Sequence, residues 1–228
     1  MTTISLLPKH PQTHSLDPSI QQTVEMTIDD LMASLPDPAQ LTWSERRGII
    51  ARYTAVLEGN FIYWMTATLL AVQSEEAKPI LLDNLHEEVR DSHPAMMRRF
   101  AIAAHAFPTD SDALAVHEEM TAVRLFLGRL SAVQSLLTMA FFEGYIQRFM
   151  EYLAELARVQ GSTDMEYTDV HGVCDIEHTE GLFRALAVEM SAHPLHADLD
   201  LFEGVYLLRA LIETVVSAHS EQKVALSA

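Results

Sequence analysis

From Ala122 to Leu156 apolar side chains return every three or four positions, and this spacing limits the fold more than any other feature of the chain. It matches the turn of an α-helix and not the alternation of a half-buried strand. The same period recurs along most of the sequence, and eight glycines and nine prolines in 228 residues are too few to punctuate a β-rich chain. The reading is therefore all-α. With 49% hydrophobic residues the chain can bury one sizeable core, and one domain fits its length better than two.

The spacing predicts helices over 19–35, 43–73, 75–91, 94–106, 111–127, 129–159, 167–190 and 199–219. Pro36 and Pro38 close the first of these. Pro94 biases His93 away from the helical region and marks a break or bend there. The segment Phe107-Pro-Thr-Asp-Ser-Asp supplies an N-cap cluster, and Gly161-Ser-Thr-Asp separates the helix over 129–159 from that over 167–190. Residues 1–18, rich in Pro, Ser, Thr and His, read as a flexible arm, leaving 19–228 as the helical domain.

Fifteen Lys and Arg against thirty-two Asp and Glu give a net charge of −17. This argues against nucleic acid as a partner, since a phosphate backbone needs compensating cations. The N-terminus lacks a basic segment followed by an apolar one, and no long uninterrupted apolar stretch is present, so a cytoplasmic protein without membrane contact is expected. One cysteine, Cys174, excludes an internal disulfide framework and suits a reducing compartment.

Residues 171–178 read HGVCDIEH. Offsets of four and seven residues return His171, Asp175 and His178 to one helix face, within an arc of roughly 60°. Two imidazoles and a carboxylate on one stripe suit iron, manganese or zinc better than calcium or magnesium. Cys174 lies off that face and reads as a packing residue.

Further ligand types sit in apolar settings on other helices: Glu143 in SLLTMAFFEGYIQRFMEY, Glu58 in AVLEGNFIYWM, and Glu87, Glu88 and His93 in DNLHEEVRDSHP. A lone buried carboxylate must be paired, protonated or metal-bound. Each of these acids taken singly fits a solvated face as well, but four helices can converge on one buried site. Trp64 and Tyr63 read as core, and Arg52 or Arg184 offers a guanidinium to a substrate carboxylate.

In these segments the chain resembles the heme-oxygenase-like diiron oxidases and oxygenases, a family of iron-containing redox enzymes. The resemblance rests on three features in order: NLHEE followed by the His93-Pro94 pair, the lone Glu143, and the H-x3-D-x2-H helix. It spans roughly residues 45–220. It implies a single-domain heme-oxygenase-like bundle of about seven core helices, with metal ligands at Glu88, His93, Glu143, His171, Asp175 and His178. Glu58 matches an additional carboxylate of some members that completes or bridges the site. Many members carry a longer Gly-containing insertion before the histidine; without it, Glu87 and Glu88 both fit the acid position.

The resemblance further implies two iron ions cycling between Fe(II) and Fe(III), with O2 as co-substrate. It points to a peroxo-diiron(III) species attacking a bound small molecule, with an external electron donor allowed for repeated turnover. N-oxygenation of an amino-acid-like or amine substrate stands slightly ahead of desaturation or C–C cleavage of an amino or fatty acid. A homodimer is the default assembly. Of the rival readings, a ferritin-like centre needs E-x-x-H on two helices, and the chain has none. A heme site needs a histidine in the first core helix, and Leu41 to Leu70 contain none. A non-enzymatic helical interaction protein is the reading of another class.

Overall fold

The computed structural model describes residues 15–217. Of the expected N-terminal arm, residues 1–14 lie outside the described residues, while Asp17 caps the first helix by accepting from the Ser19 N–H at 2.9 Å. Among the described residues there is no strand, and ten helices follow in order. They are α1 (Pro18–Ala33), α2 (Trp43–Leu57), α3 (Asn60–Ala71), α4 (Lys78–Arg90) and α5 (His93–Ala103). The rest are α6 (Asp110–Ala115), α7 (His117–Leu127), α8 (Ala132–Val159), α9 (Glu166–Ala192) and α10 (Glu203–Val216).

The axis of the bundle is α8. Every residue from Val133 to Glu143 is buried, the pattern of a helix enclosed on all sides. It packs along α9 and also against α1, α2, α3 and α10. The outer helix α1 turns one stripe inward, Ile20, Val24, Ile28 and Leu31, spaced as a helix face requires. Two helix starts carry reciprocal caps: Thr42 with Glu45 opens α2, and Thr109 with Asp112 opens α6.

Two of the expected helices are interrupted. The segment expected as one helix over 43–73 is two, α2 and α3, because Glu58 is extended and Gly59 takes a left-handed turn at φ 78°. Gly59 meets nothing where a side chain would project, so glycine serves the backbone here and not the packing. Asn60 repairs the break by donating its Nδ2 to the Val56 carbonyl and accepting from Arg124 Nε. Likewise 111–127 divides into α6 and α7 at Val116, where the backbone leaves the helical region.

The expected bend at Pro94 is present. Asp91 and Ser92 leave the helix, Ser92 at φ 59°, and His93 becomes the first residue of α5. Trp64 is buried against Phe142 as expected, whereas Tyr63 is 46% exposed beneath the Arg124 guanidinium instead of lying in the core. Arg52 is buried and bonds the Val215 and Ser217 carbonyls, so it ties α2 to the end of α10 and offers nothing to a substrate. Among the described residues no helix is long and apolar enough to cross a membrane.

Candidate metal centre

Four helices bring six ligand-type side chains to one buried place: Glu88 from α4, His93 from α5, Glu143 from α8, and His171, Asp175 and His178 from α9. All six are at most 9% exposed. The α4–α5 corner turns His93 back on the preceding helix, so that its Nδ1 lies 2.7 Å from Glu88 Oε1. His171 joins them from α9, its ring 4.5 Å from that of His93 and its Nε2 3.8 Å from Glu88 Oε1. Ligand atoms of Glu88, His93 and His171 all fall within 4.8 Å of one another.

One turn along α9, Asp175 and His178 form the other side with Glu143. The His178 Nδ1 is 3.6 Å from Asp175 Oδ1 and 3.8 Å from Glu143 Oε1, too far for hydrogen bonds. Neither His178 Nδ1 nor Asp175 Oδ2 has a hydrogen-bond partner. Asn84 lies one turn before Glu88 on α4 and donates its Nδ2 to Glu143 Oε1 at 2.8 Å.

Burial and neighbours distinguish the two adjacent acids. Glu88 is the buried member facing His93 and His171, whereas Glu87 is half-exposed and lies 2.9 Å from the outer His178 nitrogen, Nε2. Glu58, at the α2–α3 break, is ion-paired with Arg98 and is not brought to the other six. Cys174 is nearer the centre than expected of a packing residue: its thiol donates to Asp175 Oδ1 at 3.2 Å. Burial pushes that thiol's pKa up, so it stays protonated.

Burial without metal leaves these groups in unlike charge states. His171 donates Nδ1–H to the Tyr167 carbonyl at 2.8 Å, and burial lowers its pKa to about 4. Burial also acts to lower His178, but the carboxylates of Asp175, Glu143 and Glu87 around it prevail and raise it to about 11. Asp175 is raised to about 7, chiefly by burial and then by the Glu143 charge. Glu88 is raised for the same first reason.

Beside the six lies a cavity of about 20 Å³, room for about one water-sized species. Its lining combines Glu88, His93, Glu143, His171 and Asp175 with Tyr167 and the apolar side chains of Leu57, Phe61, Ile62, Pro94, Met97 and Ile146. The site can hold small cations among oxygen and nitrogen donors beside apolar side chains. Sequence reasoning missed Asn84, although its position four residues before Glu88 places both on one face of α4.

Residues 50–211 match a family model described as an iron-containing redox enzyme. No curated protein matches the chain.

Proposed function

Since this chain belongs to the family of iron-containing redox enzymes and is an iron-dependent oxidoreductase, we propose that it is a non-heme diiron enzyme that uses O2 to oxidise a small molecule. The observation that supports this reading best is the pair of unpartnered buried atoms, Asp175 Oδ2 and His178 Nδ1. Buried polar groups are rarely left unpaired, and these two face carboxylates and imidazoles from three other helices. Three carboxylates and three imidazoles suit iron in hardness and in charge.

Glu88, His93, Glu143, His171, Asp175 and His178 would hold two iron ions, which when bound supply the electrons and open positions for O2. The surrounding residues prepare that set. The Tyr167 carbonyl fixes His171 with Nε2 inward, and the Asn84 amide holds one Glu143 oxygen in place. Glu58 joins only by leaving Arg98. The apolar side chains of Leu57, Phe61, Ile62, Met97 and Ile146 would limit water beside the reacting atoms.

Those apolar side chains carry no charged group, which shapes the substrate reading. A neutral amine, whose nitrogen is oxygenated through its lone pair, is accepted there more readily than an ammonium ion. N-oxygenation places one oxygen atom of O2 in the product and reduces the other to water, with two electrons from an outside donor. The same lining favours a second reading, desaturation or C–C cleavage of an aliphatic acid. With a cavity of about 20 Å³, either substrate requires its lining side chains to move apart.

The test loads the protein with Fe(II) under anaerobic conditions and admits O2 with a reductant and a panel of amines, amino acids and aliphatic acids, read by mass spectrometry. Hydroxylamine or nitroso products support the first reading, and alkenes or shortened acids support the second. No product from any substrate, with O2 consumption no faster than for free Fe(II), refutes both.

A further inference from the structure

We propose that Glu87 is a positioning residue that fixes the His178 ring so that this histidine takes iron through Nδ1, opposite to His171, which takes it through Nε2. The inference rests on the reading of both histidines as iron ligands. Imidazole offers two nitrogens, and the one left for metal is set by what the other bonds. In His171 the outward nitrogen is Nδ1, donating to the Tyr167 carbonyl. In His178 the outward nitrogen is Nε2, donating to Glu87 Oε2 at 2.9 Å.

The inward atom of His178 is correspondingly Nδ1, unpartnered and 3.6 and 3.8 Å from the nearest oxygens of Asp175 and Glu143. The two adjacent acids of NLHEE therefore divide the work. Glu88 turns into the centre, and Glu87 stands behind His178 from the same helix, 42% exposed. Unlike the neutral carbonyl behind His171, a carboxylate behind His178 makes its ring the more electron-rich donor, which favours the ferric state.

Zn(II) is the diamagnetic probe, and long-range ¹⁵N–¹H spectra of the zinc-loaded full chain read both histidines directly. The expected pattern is a metal-bound Nδ1 with a protonated Nε2 for His178 and the reverse for His171. Glu87→Ala should bind the same number of zinc ions with about 10–100-fold lower affinity, leaving the His171 pattern intact. Glu87→Gln should keep the His178 pattern and raise the Fe(III)/Fe(II) potential.

Binding of His178 through Nε2 would overturn the inference, as would an affinity of Glu87→Ala within about twofold of the parent. Loss of one ion per chain in Glu87→Ala would also overturn it, by making Glu87 a ligand. If zinc shifts neither His171 nor His178, the metal-site reading itself fails, an outcome distinct from the others.

Discussion

Metal uptake by this centre is coupled to proton release, and the metal-free geometry sets the extent. A ligating imidazole is neutral, so a histidine that is cationic before binding must lose its proton. His171, at about 4, carries none at neutral pH, and His178, at about 11, carries one. His93 is pushed down by burial but lifted further by its hydrogen bond and charge interaction with Glu88. Asp175, at about 7, is mostly ionised by about pH 8. Near pH 8 the His178 proton makes the release about one per chain, and affinity should rise about tenfold per pH unit.

Below about pH 7 the Asp175 proton must also leave, and the dependence should steepen towards a hundredfold per unit. Competition titrations with Mn(II) or Zn(II) from pH 6 to 9, with a weakly buffered indicator dye, measure both quantities. The folded-state values of His178 and Asp175 both lie above their ordinary 6.5 and 3.8. The contribution of each to stability is full below its ordinary value and is lost as pH rises through about 11 and about 7. The metal-free protein should therefore lose stability as pH rises from 6 to 9 while the loaded protein does not, and the gap in Tm should widen. A pH-independent affinity with no proton release would refute this account of the charges.

Three substitutions probe the supports of the centre. Glu189 on α9 is fully buried and accepts from the Gln73 and Ser74 N–H groups, tying the α3–α4 turn to α9; Glu189→Ala should cost about 3–5 kcal/mol by urea unfolding, and under about 1 kcal/mol would contradict the clamp. In Gly204→Ala the new Cβ would overlap Thr138 and the Phe126 ring, where α10 meets α7 and α8, so thermal unfolding should show a loss of at least about 2 kcal/mol. Asn84→Ala frees a Glu143 oxygen and should lower metal affinity about tenfold with the stoichiometry kept, as read by calorimetric titration.

The helical class and the long helices were legible because their apolar period is strong, and the α9 stripe was legible because three ligand types four and seven residues apart share a face whatever surrounds them. The α2–α3 break was hidden: apolar spacing runs on from Val56 through Phe61, and a lone Gly59 is compatible with an unbroken helix. Val116 carries no local signal at all. Glu87 and Glu88 could not be told apart in sequence because the difference is one of rotation about α4 against α9, a tertiary fact. Cys174 does lie about 100° of helix rotation from Asp175, but that its thiol reaches the Asp175 carboxylate is a matter of side-chain conformation that spacing does not show.

The claim on which the rest depends is that four helices build one centre for two iron ions. Anaerobic titration of the metal-free chain with Fe(II), followed by metal analysis and Mössbauer spectroscopy, addresses it directly. The account predicts two irons per chain in nitrogen and oxygen surroundings, and His171→Ala and His178→Ala should each lower that number. One iron, no iron, or full binding in both variants would contradict it.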